Sequence, residues 1–257
     1  MKRLIMSLIV VLSCFTLNTA VADKAEISYE NPQNAEDTAI AKQLQSAPGI
    51  SAVVEIINDH FRLPEALEIV FGGDDGPLYD PGKNTIFIPY GFVEEVKKRF
   101  ERAKYAETGV SIEDATMDVL MHTLFHELAH ALINMYDLPV LGKEEDAADG
   151  LATVLLIRFF EDGQELAISA ADLFDLESED SDELSDADFW DEHSLDAQRY
   201  YATLCHVYGS DPEQYGKLLA DNGFPADRAE LCVEEYVNLA DSWFLLLEPH
   251  MTKAAAN

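Results

Sequence analysis

The chain has 257 residues, 48% of them hydrophobic, with 49 acidic against 17 basic side chains and a formal charge of −32. This composition excludes a disordered chain and supplies a sizeable core for one large domain or two small ones. The charge repels phosphate backbones and anionic lipid, so neither a nucleic acid nor a membrane surface is expected as a partner.

Lys2 and Arg3, an apolar run over residues 4–14 and the small residues Ala20, Val21 and Ala22 before Asp23 read as an export signal over 1–22. The run is too short to cross a bilayer, so a periplasmic or secreted mature chain without a membrane segment is expected. A rival reading makes Cys14 a lipid-bearing residue after Val11-Leu12-Ser13, which the bulky Leu12 disfavours. Loss of the signal takes the net charge from −32 to −34. Cys205 and Cys232 then form an even pair in an oxidising compartment, which predicts a disulfide tying two late helices; two free buried thiols are the alternative.

Residues 24–33 are polar and predict a poorly ordered arm. Residues 35–45 and 51–61 carry helical spacing and are separated by Pro48-Gly49. Residues 67–71 and 85–89 read as strands, with 78–84 (LYDPGKN) as turn material between them. They predict a small sheet whose edge could pair with an extended peptide. Residues 92–105 predict a solvated outer helix. Ser111, with Asp114 three residues on, caps a helix expected to run to about Tyr136, where Asp137-Leu138-Pro139 stops it. Residues 143–160 restart a helix with acids in its first turns. Eleven acids between 172 and 192 fit no calcium loop and predict an exposed acidic linker or lid. The remainder is helical: 190–207, a short helix after Ser210-Asp211-Pro212, and a long one from Pro225 to Glu248.

The fold class expected is α+β, mainly helical, with a small sheet beside one central helix and a helical C-terminal part. The expected division is 1–22 signal, 23–50 arm and first helix, 51–171 metal-binding core, 172–188 acidic linker or lid, and 189–257 helical part packed on the core.

The central helix holds the chemistry. Residues 120–134, LMHTLFHELAHALIN, contain His126-Glu127-Leu128-Ala129-His130, an HExxH pattern. Residues four apart on a helix lie about 6 Å along the axis and about 40° around it, so both imidazoles project from one face. That spacing suits one zinc ion, with the Glu127 carboxylate beside it to move a proton. An HExxH on a solvated face can arise by chance. Here Leu124, Phe125, Leu128, Ala131, Leu132 and Ile133 surround the polar triplet, and burying two imidazoles and a carboxylate requires partners. His122, one turn earlier, fits tetrahedral geometry poorly as a third ligand; a role behind the ligands or in the core is expected for it.

Glu145 is the expected third ligand, since it opens the next helix after a short connection and that helix can fold back on the His pair. Asp149, one turn further, can take the free ring N–H of a ligand imidazole. Glu144 and Asp146 stay open as ligands, as does the reading that these acids decorate a helix N-terminus.

HExxH followed by ExxxD resembles the gluzincin branch of zinc peptidases, which implies a Glu ligand on the next helix and an Asp four residues later behind the ligands. Thermolysin-like members have a longer link; here only fourteen residues separate His130 from Glu145. More widely, FGGDDGPLYDP, IPYGF, HTLFHELAHALI, EEDAADGLAT, EHSLDAQRYY and CHVYGSDP resemble a family of exported bacterial metallopeptidases of unassigned function. In EHSLDAQRYY, His193, Arg199, Tyr200 and Tyr201 are candidates to stabilise a carbonyl oxygen as it gains charge. His193 stands first, by analogy of role with thermolysin-like enzymes; His206 is expected to be structural. The expected activity is hydrolysis of peptide or protein substrates with zinc, Glu127 as general base and His193 in support. The alternative is a non-catalytic exported binding or scaffold protein with a structural zinc site. The sequence leaves the oligomeric state open.

Overall fold

The computed structural model describes residues 24–180 and 184–252. The expected export signal, with Cys14, lies outside them. The described chain is α+β and mainly helical. One sheet has the order β1-β2-β4-β3, in which β1 (Ala25–Tyr29), β2 (Leu67–Phe71) and β4 (Thr85–Ile88) run parallel. β3 (Leu78–Asp80) closes the edge antiparallel to β4, with Tyr79 opposite Ile86.

Two of these strands correct the sequence reading. The expected disordered arm contains β1, which pairs with β2 along its whole length, Ala25 with Leu67 through Tyr29 with Phe71. Its Ala25-Ile27-Tyr29 alternation supplies one inward face, and the Asn58 side chain holds both the N–H and the C=O of Ala25. The expected turn over 78–84 contains β3, whose three residues are too few to show periodicity.

α1 (Ala35–Gln45) and α2 (Pro48–His60) link β1 to β2, and α3 (Tyr90–Arg102) follows β4. α3 is not a solvated outer helix: Val93, Val96, Arg99 and Phe100 are buried along one face. α4 (Ile112–Tyr136) starts at Ser111, whose side chain accepts from the Asp114 N–H. It ends where Asp137 turns left-handed (φ +52°), a conformation that a short polar side chain tolerates. Between these caps it is buried on almost every side. Its Leu124, Phe125, Leu128 and Leu132 share one core with Ile69, Phe71, Ile86 and Ile88 of the strands.

α5 (Glu144–Phe159) folds back along α4, and α6 (Gly163–Ser178) packs on both. α6 corrects the linker reading. The acidic stretch is helical as far as Ser178, because Leu173 and Phe174 are buried and Asp172 beside them accepts from the Tyr105 hydroxyl. α7 (Asp186–Trp190) is a short exposed helix, and α8 (Asp196–Ser210), α9 (Leu218–Asp221) and α10 (Ala226–Leu247) complete the helical part. α8 packs on α6 and α10. A Cβ on Gly209 would lie 2.2 Å from the Cys232 carbonyl oxygen, so only glycine lets α8 and α10 approach this closely. The Cys205–Cys232 disulfide, 27 residues apart in sequence, joins the same two helices.

Closing a loop of this length limits the unfolded chain by about 3.5 kcal/mol. Replacing both cysteines with alanine is expected to lower the unfolding free energy by about 2–4 kcal/mol. Urea titration of wild type and variant checks this, and equal midpoints would remove the bridge from any part in stability.

Candidate metal centre

α4 presents His126 and His130 one turn apart, and the reversal after Asp137 brings the first turn of α5 to face them. His126 Nε2 lies 3.2 Å from His130 Nε2 and 3.1 Å from Glu145 Oε2, and His130 Nε2 lies 3.4 Å from the same oxygen. Two atoms bound at about 2.0–2.1 Å to a tetrahedral ion stand about 3.3 Å apart. The three edges therefore fit a small divalent cation, and among the described residues this is one of two clusters of possible metal donors. The other, Cys205, Cys232 and Glu235, has both sulfurs committed to the disulfide.

The outer nitrogens are held as well. Asp149 Oδ1 lies 2.8 Å from His126 Nδ1, and Glu144 Oε1 lies 2.8 Å from His130 Nδ1. With each Nδ1–H given to a carboxylate, a neutral ring keeps its Nε2 lone pair for a cation inside the triangle, and a protonated ring donates Nε2–H to Glu145. Glu144, a possible ligand in the sequence, thus stands behind His130 instead. Asp149 in turn accepts from Arg199 Nε and Nη2 at 2.7 and 3.0 Å, a two-pronged contact that fixes the carboxylate plane. Arg199, a candidate to stabilise a carbonyl oxygen, is committed to Asp149 and lies 3.9 Å over the Phe174 ring.

His193, on the loop between α7 and α8, places Nε2 at 2.9 Å from Glu145 Oε2. It is held there by Lys143, whose ammonium donates to the carbonyls of Asp191 and His193 at 3.0 and 2.7 Å. Nothing in the sequence singles out Lys143, because its role depends on a loop fifty residues later returning to the start of α5. Tyr200 and Tyr201 are not brought to the site: the Tyr200 hydroxyl donates to Asn222, and Tyr201 packs on Phe224. His122 makes no hydrogen bond to either HExxH imidazole, and its ring stands edge-on to Phe174. His206 is held neutral by burial, at about 4, away from the cluster.

The electrostatics follow from burial opposed by partners. Burial opposes charge on His126, but Asp149 and Glu145 outweigh it and raise its pKa to about 9. Burial likewise opposes charge on Asp149 and Glu145, yet the imidazoles, and Arg199 for Asp149, hold both well below the usual carboxylate range. Glu127 is raised, chiefly by burial. The backbone of Tyr79 on β3 pulls it down, as do both imidazoles. A cleft of about 520 Å³ opens over Glu127, His126, His130, Glu145 and His193, and Leu78 and Tyr79 of β3 form its other wall.

Fold and site together define a mainly helical α+β protein with a His-His-Glu donor set, two members on an HExxH helix and one on the next, and the Glu127 carboxylate beside it. A family model described as "Putative metallopeptidase" matches residues 29–247, and the chain belongs to that family. Membership implies a metal and peptide substrates. No curated protein and no solved structure matches the chain. Among the described residues, no helix is long and apolar enough to cross a membrane.

The cluster predicts a pH signature in metal-free protein. His126 has a folded pKa above its unfolded value, so its contribution is complete below about 6.5 and is lost as pH rises through about 9. Asp149 has a depressed folded pKa, so its contribution is present above about 4 and is lost as pH falls. The stability gap between wild type and Asp149→Asn is therefore expected to be widest near pH 5–6.5 and to narrow on both sides. Urea midpoints across pH 3–10 measure it, and a gap constant from pH 6 to 10 would contradict the assignment.

Proposed function

We propose that the chain is an exported zinc-dependent peptidase. The observation that carries this reading is the triangle of His126 Nε2, His130 Nε2 and Glu145 Oε2 with tetrahedral edge lengths, set in an open cleft beside the Glu127 carboxylate. When bound there, a zinc ion supplies a Lewis acid that polarises the scissile carbonyl and makes water a stronger acid.

The chain's own residues do the rest. Glu127, its pKa raised by burial, is placed to take the proton of the attacking water and to carry it to the leaving amine. His193, its cationic form favoured by Glu145, borders the cleft and would exchange its Nε2 contact with Glu145 for one to the carbonyl oxygen as negative charge grows there. Lys143 fixes the loop that carries His193. Asp149 sets the ring orientation of His126, and Arg199 sets that of Asp149. β3 is an edge strand along the cleft, so an extended peptide can pair with its free side. The disulfide supports an oxidising, periplasmic or extracellular setting. A non-catalytic zinc protein would close the site with a fourth protein ligand, and His122 is turned toward Phe174 instead.

Glu127→Gln is expected to reduce peptide hydrolysis by about 10²–10⁴-fold while retaining about one zinc per chain. His126→Ala is expected to lose the metal. Elemental analysis alongside turnover of an unfolded protein substrate decides between the readings: full activity in Glu127→Gln, or equal metal in His126→Ala, would reject the mechanism. Arg199→Leu is expected to weaken zinc binding by about 10–100-fold in a chelator competition, through loss of the Asp149 geometry; unchanged affinity would reduce Arg199 to packing.

A further inference from the structure

A second cavity, of about 160 Å³, adjoins the cleft and shares Pro77, His126, Glu127 and His193 with it. Phe92, Val119, Leu173 and Phe174 give it an apolar side. Thr123 also lines it, with its hydroxyl given to the Val119 carbonyl, and two further polar side chains there take no part in the chemistry above. His122 is buried, and among the described residues its Nε2 has no hydrogen-bond partner. Glu177, in the last turn of α6, has its Oε1 3.9 Å from Arg99 Nε, beyond hydrogen-bond reach, and that nitrogen is itself unpartnered among the described residues.

We infer that this cavity receives the substrate side chain next to the cleaved bond, and that Glu177 and His122 select a basic one, a lysine or an arginine. This rests on the peptidase reading. An aliphatic stem suits walls of Val119, Leu173 and Phe174, and a head group with N–H donors meets the two acceptors left open, the Glu177 carboxylate and a ring nitrogen of neutral His122. Arg199 also borders the cavity, but its guanidinium is given to Asp149 through two nitrogens, with Asp196 3.7 Å from the third. The approach is acidic too: the neighbouring hollow of about 490 Å³ shares Glu177, His193 and Arg199 and adds Asp188, Asp191 and Asp196. Burial, with Asp196 adding to it, outweighs Arg99 and Arg199 and pushes the Glu177 carboxyl up to about 7. A side chain without donors would leave buried His122 and half-buried Glu177 unpaired, which is how a polar site rejects an apolar competitor.

The test begins with digestion of an unfolded protein mixture by the zinc-loaded chain, the residues beside each cut being read by mass spectrometry. Lysine and arginine are expected to be enriched about tenfold at one position adjoining the cut. Glu177→Gln is expected to abolish that enrichment, with zinc content unchanged. Binding gives a second readout free of turnover: Glu127→Gln protein is titrated with a peptide carrying lysine at that position and with its norleucine counterpart. The lysine peptide is expected to bind about tenfold tighter, and Glu127→Gln/Glu177→Gln is expected to bind both alike. Cutting without a basic preference, or a preference that survives Glu177→Gln, overturns this assignment alone. Absence of any cutting and any peptide binding overturns the peptidase reading and this inference with it.

Discussion

Two imidazoles and a carboxylate sit on a helix that is buried on nearly every side, and α5 brings acids against them from the next turn of chain. Glu145 meets both Nε2 atoms, while Asp149 and Glu144 take the outer nitrogens. Without those carboxylates, His126 would be a buried ring with neither nitrogen satisfied, at a cost of several kcal/mol. The antiparallel packing of α4 on α5 is therefore more than a hydrophobic contact, because it sets the protonation, tautomer and direction of each group in the cluster. The reversal that makes it possible is short and begins at the left-handed Asp137.

The rest of the architecture is arranged around that pair. The sheet supports one side of α4 through its core face and offers the β3 edge to the cleft. From the helical part, α8 extends Arg199 back to Asp149, and the loop before it carries His193 to Glu145. In a strongly acidic chain these two basic anchors, Lys143 and Arg199, hold remote segments on the acid-rich first turns of α5. The Cys205–Cys232 bridge and the glycine contact at Gly209 lock α8 on α10, so Arg199 projects from a fixed support.

Elements with a long period were legible in the sequence, and short or irregular ones were not. The span of α4, its Ser111 cap and its Asp137 stop could be read because capping chemistry and a continuous apolar surface leave few alternatives. β1 was hidden because its apolar face is only Ala25, Ile27 and Tyr29, and only its pairing with β2 makes so short an alternation meaningful. β3 was hidden by its length. The acids of 172–178 suggested a linker, since composition does not reveal that Leu173 and Phe174 turn inward together.

At the site, the HExxH spacing and the ExxxD acids fixed which side chains share a helical face, because 3.6 residues per turn is a property of the backbone and needs no tertiary information. The sequence also determined the charge, the apolar setting of the His pair and the two late cysteines available for pairing. Only the tertiary structure decided which acid meets which nitrogen, that Arg199 serves Asp149 and that Lys143 holds the His193 loop. It alone brought Glu177 and His122 to one cavity beside Glu127. Those contacts join residues fourteen to fifty-five positions apart, and their partners are chosen by how helices cross, which local sequence does not encode.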